Sequence, residues 1–368
     1  MRSAAMQGLQ SDAAPQPLGP SLWDWNRVQR VLIVRLRSIG DTVLTTPSLF
    51  SLRRFLPHAR IDILLEDWVA PVLESFEHVD HVLKLESGNT SARLQIARQI
   101  RGTNYDVAYN LHGGTTATLL TRASGARHRV GFAHYQYARL HNHLAPSSLL
   151  LWGTAKAHSV EQQLALLGWT GVPVSDRPAT NLKVSELAAV SISARLQAAG
   201  FDALTPFAMV HPATAFATKQ WATEKFARVI EHLADRGLAT VALAAANQAE
   251  VVQNLIAASS APIVGLTDLS LPEVTALASR ARIFIGNDSG IAHIAAAVKT
   301  PSVVIFGSSN VAHWKPWATA PAETVLEEME CQPCHGYFCE KFAQPECILR
   351  VPVARVRAAI DRVLRDSA

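Results

Sequence analysis

The chain has 368 residues, 49% of them hydrophobic and 17% charged, with a formal net charge of +4. That length fits about two domains, and the composition excludes a disordered chain. No apolar run reaches the roughly 18–20 residues of a membrane-spanning helix, and neither a basic run, a paired-histidine finger nor an RNP-like aromatic pattern is present to indicate nucleic acid.

Residues 1–20 contain Pro, Gly, Ala and Gln without a continuous apolar core. They predict a loose tail, extending to about residue 27, rather than a signal peptide, and so a cytosolic protein. VLIVRL (31–36) reads as a buried strand. A turn carrying Gly40 and Asp41 follows, then the helix TPSLFSLRRFL, closed by Pro57. IDILL, VDHVLKL and YDVAYNL are further strands, with TSARLQIARQIRG as a helix before the last of them. The polar, proline-bearing stretch 171–182 is the expected linker.

The second half repeats the alternation. After the helix SELAAVSISARLQAAG come the strand FAMVH, a loop to Lys219, the helix TEKFARVIEHLADRG and the strand ATVALAA. A helix near 248–259 leads to the strand APIVGL. Ser270 and Glu273 are spaced as a capping box, and residues 281–307 read as a strand–turn–helix–strand unit. VARVRAAIDRVLRD closes the chain as an amphipathic helix expected to dock on the protein body. Strands alternating with helices imply parallel sheets covered on both faces. The fold class is therefore α/β, with two doubly wound domains (28–175 and 176–350) facing across a cleft and a terminal helix at 351–368. Ligands of such sheets sit at the carboxyl ends of the strands.

Three turns at those ends carry chemistry. In GNDSGIAH (286–293), Asn287, Asp288 and Ser289 suit a helix cap, and the free N–H groups beyond them suit a phosphate or sugar hydroxyl. His293 lies one turn further on. The motif reads either as a capped helix or as an anion site. HPATAFATKQW (211–221) offers Thr214, Thr218 and Lys219 to a diphosphate, the alternative being a surface lysine. Neither a P-loop nor a G-x-G-x-x-G turn is present. Asp41 reads by default as a helix cap, and otherwise as a general base. The four cysteines, Cys331, Cys334, Cys339 and Cys347, are confined to 17 residues. A structural metal knuckle, zinc or iron, is one reading; free thiols in a surface loop are the other. Trp314, Pro316 and Trp317 are expected to pack the domain junction.

Taken in order, G-D-x-x-x-T-x-P-x-L at residue 40, K-x-W at 219 and N-D-S-G-x-x-H at 287 resemble the ADP-heptose:lipopolysaccharide heptosyltransferase family, as does the late C-P-C-like segment. The resemblance runs from about residue 30 to the C-terminus. It implies a GT-B fold and an inverting, metal-independent transfer of a heptose from an ADP-sugar to a lipopolysaccharide core or similar glycan. It implies Asp41 as base and Lys219 on the diphosphate. Thr214, Glu250, Asp288, Ser289, Gly290 and His293 would hold the donor, and Arg35 the acceptor. Arg37 and His112 join the acceptor side because they end strands on the same cleft. The family's glycine-rich turn before the nucleoside glutamate reads AAANQAE here, Ala215 follows Thr214, and His112 stands where glutamine is common. The enzyme would work at the cytoplasmic face of the bacterial inner membrane, in peripheral contact with it. A protein-directed heptosyltransferase, a sugar-nucleotide epimerase and an inactive sugar-nucleotide binder are the competing functions.

Overall fold

The structure is a computed structural model and describes residues 14–202, 205–334 and 337–367. Two six-stranded sheets organise it. The first comprises β1 (Arg30–Val34), β2 (Arg60–Glu66), β3 (His81–Leu85), β4 (Val107–Asn110), β5 (His128–Phe132) and β6 (His143–Ala145). The second comprises β7 (Phe207–His211), β8 (Ala239–Leu243), β9 (Ile263–Leu266), β10 (Ile283–Asn287), β11 (Ser302–Phe306) and β12 (Ala322–Leu326). Their orders are β3-β2-β1-β4-β5-β6 and β12-β11-β10-β7-β8-β9. Every pairing is parallel.

Both orders are the same doubly wound pattern. In each, the winding reverses beside the first strand of the half, between β1 and β4 or between β7 and β10. Crevices for ligands open at such reversals. The central strands are uniformly buried, as in FAMVH and IFIGN, because helices cover both faces. The turns singled out in the sequence follow β1, β7 and β10, and His112 follows β4, so the topology brings them to the two crevices.

Several elements went unread in the sequence. The strand HRVGF at β5 carries His and Arg at its start, and its last three residues alone are buried. β6 is three residues long at a sheet edge, and β12 is mostly half-exposed. The Ser159–Gly168 helix is almost wholly buried and shows no amphipathic stripe to betray it.

Residues 14–27 differ from the expected loose tail. The Gln16 N–H donates to Ser175 Oγ at 2.8 Å, and Trp25 Nε1 donates to the Thr170 carbonyl at 3.0 Å. Trp23 stacks on His128 at 4.4 Å between centroids. Two tryptophans give this segment enough apolar area to hold it on the body. Residues 1–13 lie outside the described set.

The terminal helix (Val353–Asp366) docks through Val356, Ala359, Ile360 and Val363. It lies on the Thr223–Ala234 helix, β11 and β12, so it docks on the second half. Ion pairs Arg236–Asp361 at 2.7 Å and Arg362–Glu323 at 2.7 Å fix it there.

The halves meet along a seam. Trp317 Nε1 donates to the Pro178 carbonyl at 2.9 Å, and the Trp317 ring lies 4.7 Å from that of His158. The tryptophans after β11 thus pack the junction. His158 Nε2 approaches the Lys315 carbonyl at 2.7 Å. The tightest approach is at the site itself, where the Ile39–Val43 helix touches the Gly290–Ala297 helix.

Candidate active site

On the first lip, β1 ends and the chain turns through Arg35–Ser38 into the short Ile39–Val43 helix. Asp41 sits at the third position of that helix. One carboxylate oxygen accepts from the Ser38 N–H at 3.2 Å and the Ser38 hydroxyl at 3.0 Å. The other pairs with the Arg35 guanidinium. Arg35 is buried and also donates to the Leu111 carbonyl, which ties the end of β1 to the end of β4. The capping expectation therefore holds for Asp41, and the same contacts hold its carboxylate still.

His112 follows β4 on the same lip. Burial pushes its pKa down to about 4, with the Arg35 cation adding to the effect, so the ring is neutral at pH 7. Its Nδ1 is buried without a hydrogen-bond partner. Gly113 adopts φ +85°, and a Cβ there would strike the Tyr135 ring at 2.7 Å. Arg37 is solvent-facing, 4.0 Å from Glu66, and Glu66 in turn accepts from Trp68 Nε1 at 2.8 Å. Tyr135, Glu66 and Trp68 belong to this lip and were missed. Their signal lay in the strand-end positions after β2 and β5, and β5 itself had gone unread.

On the second lip, Asn287 organises the loop after β7. Its side chain donates to the Pro212 carbonyl at 2.7 Å and accepts from the Trp221 N–H at 3.2 Å. That staple sets the short turn Ala217–Lys219. Lys219 Nζ pairs with Asp288 Oδ2 at 2.8 Å, and the Ser309 hydroxyl donates to the same oxygen at 2.5 Å. Asp288 is buried, so its negative charge is neutralised within the protein. It anchors the lysine, a role that sequence did not assign.

Ser289 begins the Gly290–Ala297 helix, but its hydroxyl meets His211 Nδ1 at 3.2 Å instead of capping. Burial pushes His211 down to about 4 and lowers His293 as well. Nδ1 of His293 is buried and without a hydrogen-bond partner. The charges of Asp288, Asp41 and Lys219 all bear on the His293 ring, which places it between the two lips. Thr214 lies on the loop after β7, and Glu250 on the helix after β8. The Thr214 carbonyl accepts from Gln248 Nε2 at 2.9 Å, and Glu250 is exposed in the first turn of the Ala249–Ala258 helix.

Glycines let the lips close. A Cβ on Gly40 would lie 2.7 Å from His293 Cδ2, and one on Gly290 would lie 2.8 Å from Ile39 Cβ. The structure thus brings Arg35, Asp41, Lys219, Asp288, Gly290 and His293 together, with Arg37 and His112 on the first lip's rim. The four cysteines line one cavity with Thr218, beside the second lip. Cys347 is buried, and burial with its thiol neighbours pushes it up to about 11. Among the described residues, no three His, Cys, Asp or Glu side chains stand in metal-ligating geometry.

Buried neutral histidines give the fold a pH signature. His211, His112 and His158 have pKa values pushed down to about 4, about 4 and about 3. In the unfolded chain they take up protons near 6.5, while the folded chain stays neutral, so stability rises with pH in this window. The melting temperature is expected to be flat above about pH 7 and to fall between about pH 6.5 and 5, above the ordinary carboxylate range. Calorimetry across that window checks it, and a flat melting temperature would count against the burial of these rings.

Two doubly wound sheets, closed on each other at the carboxyl edges of their strands, give this chain the GT-B fold. The chain belongs to glycosyltransferase family 9 (heptosyltransferase), whose model matches residues 93–342. It is 30% identical to lipopolysaccharide heptosyltransferase 3 of Escherichia coli K12 over 77% of this chain and 83% of that one. A second Escherichia coli lipopolysaccharide heptosyltransferase 3 is 29% identical over 90% of this chain and 98% of its own. In fold it is similar to E. coli ADP-heptose lps heptosyltransferase II, with TM-score 0.76, 21% identity, and 92% and 100% of the two chains covered.

Proposed function

We propose that the protein transfers a heptose or closely related sugar from an ADP-sugar to a lipopolysaccharide core or similar surface glycan, with inversion at the anomeric carbon. The observation that carries the reading is the pairing of lips: an anchored carboxylate on one, an anchored ammonium on the other, and His293 between them. Asp41 takes the proton of the acceptor hydroxyl as that oxygen attacks the anomeric carbon. The bond from that carbon to the diphosphate breaks on the opposite face. Lys219 and the free N–H groups of the Gly290 helix neutralise the charge that develops on the leaving diphosphate. Both the pair of curated relatives and the family membership support heptose as the sugar.

Arg35, Arg37 and His112 face the acceptor in this reading. Thr214, Glu250, Asp288, Ser289, Gly290 and His293 form the donor side, with Asp288 acting through Lys219. No helix among the described residues is long and apolar enough to cross a membrane; a lipid-linked acceptor would bring the enzyme to the inner face of the inner membrane as a peripheral protein. Four thiolates are a suitable donor set for zinc or ferrous iron. A metal bound there would be held by Cys331, Cys334, Cys339 and Cys347. It would serve structure alone, since no step of the transfer needs it.

The test is a donor screen by calorimetry with ADP, UDP and GDP, followed by turnover of ADP-heptose with a truncated lipopolysaccharide core. ADP is expected to bind and the other two to bind much more weakly. Preference for UDP or GDP would remove the ADP-sugar assignment.

A further inference from the structure

The cysteine segment is not a separate appendage. Cys334 N–H donates to the Ser308 carbonyl at 3.0 Å, and Gln332 Nε2 donates to the Gly307 carbonyl at 2.6 Å. Ser308 then reaches Thr218 twice, hydroxyl to hydroxyl at 3.0 Å and N–H to carbonyl at 3.3 Å. Both serine and threonine are buried. Thr218 is the residue before Lys219 and lines the thiol cavity. From the far side, the Tyr337 ring stacks on Phe216 at 4.5 Å, and Lys219 Nζ lies 5.2 Å over that same Phe216 ring. Ile348, next to the buried Cys347, packs on Gly307, where a Cβ would lie 2.9 Å from the Ile348 Cβ.

Residues 216–219 therefore couple to the cysteine segment by hydrogen bonds relayed through Ser308 and by the Phe216–Tyr337 ring stack. A lysine on a short turn has many rotamers to lose, and ordering its backbone beforehand reduces what ligand binding must restrain. We propose that the four-cysteine segment is a positioning strap for Lys219. Order in residues 331–334 and 337–348, held by their thiols, passes through Ser308 to Thr218 and sets the ammonium where a nucleoside diphosphate arrives. The inference rests on the donor-side reading of Lys219 and adds to it a control point outside the cleft: whatever the thiols hold, a soft cation or each other's packing, acts on donor affinity and leaves the acceptor side untouched.

The experiment uses the full chain. ADP affinity is measured by calorimetry for the wild type, Ser308→Ala, Ser308→Thr and the double variant Cys334→Ala/Cys347→Ala, with melting curves and metal content on each. Loss of one buried hydrogen bond predicts an ADP Kd weakened about tenfold in Ser308→Ala. The donor KM should rise in parallel, the acceptor KM should stay at its wild-type value, and Ser308→Thr should recover most of the loss. The cysteine double variant should weaken ADP at least as much. Should it fail to fold, Ser308→Ala still decides. A folded Ser308→Ala with wild-type ADP affinity overturns the strap, even if the wild type carries a metal. Weakened ADP binding in Ser308→Ala, with a wild type free of metal, supports the strap and removes the metal. A wild type that binds no ADP overturns the donor-side reading and the strap with it.

Discussion

Asp41→Asn is expected to lower kcat about 10²–10⁴-fold, the range a single well-placed general base contributes. Asparagine keeps an oxygen for Ser38, so the first turn of the Ile39–Val43 helix retains its partner. What goes is the basicity and the charge opposite Arg35. Because Arg35 is buried and also holds the Leu111 carbonyl, the guanidinium stays in place and some stability is lost with its counter-charge. The signature is a fall in kcat at saturating substrates with ADP affinity unchanged, since the proposed ADP site is on the other lip. Retention of wild-type kcat by Asp41→Asn would leave that carboxylate as a cap and nothing more.

Lys219→Met is expected to lower kcat/KM for the donor about 10²–10³-fold, as when one preorganised donor is removed from a developing anion. It carries a second consequence. Asp288 is buried, and without the ammonium it keeps only the Ser309 hydroxyl as a partner on its paired oxygen. An uncompensated buried charge destabilises, by about 3–5 kcal/mol where a pair is fully buried; Lys219 is 23% exposed, so the loss here should be smaller. Adding Asp288→Asn to Lys219→Met removes that unpaired charge. The double variant should recover melting temperature and stay inactive. Recovery of both together would mean that the lysine serves stability and not the departing diphosphate.

Legibility in the sequence followed burial pattern. Continuous apolar strands such as VLIVRL and SVVIF were readable because both faces of a parallel sheet are covered. β6 and β12 were not, because edge strands carry polar residues and short runs, and β5, inside its sheet, opens with His and Arg. Asp41, Lys219 and the 287–293 turn were visible because they end strands whose neighbours were clear. Long-range partners were invisible. Nothing near Asp41 in sequence says that Arg35 answers one of its oxygens while holding Leu111 with its other arm. Asp288 looked like a ligand for the donor, yet its carboxylate is occupied by Lys219 and Ser309. The cysteines were seen as a group. Their coupling to Thr218 through Ser308 needed the fold.

The apposed glycines set the geometry of closure in a particular way. With no side chain on Gly40 or Gly290, main chain meets Ile39 and His293 directly. Backbone in a packed helix yields far less than a long side chain does. The two helices therefore act as a mechanical stop: glycine main chain against Ile39 and His293 limits how near the Asp41 carboxylate and the Lys219 ammonium can come. Sequence drift along the rest of the seam can alter how readily the halves shut without altering the spacing of these two groups.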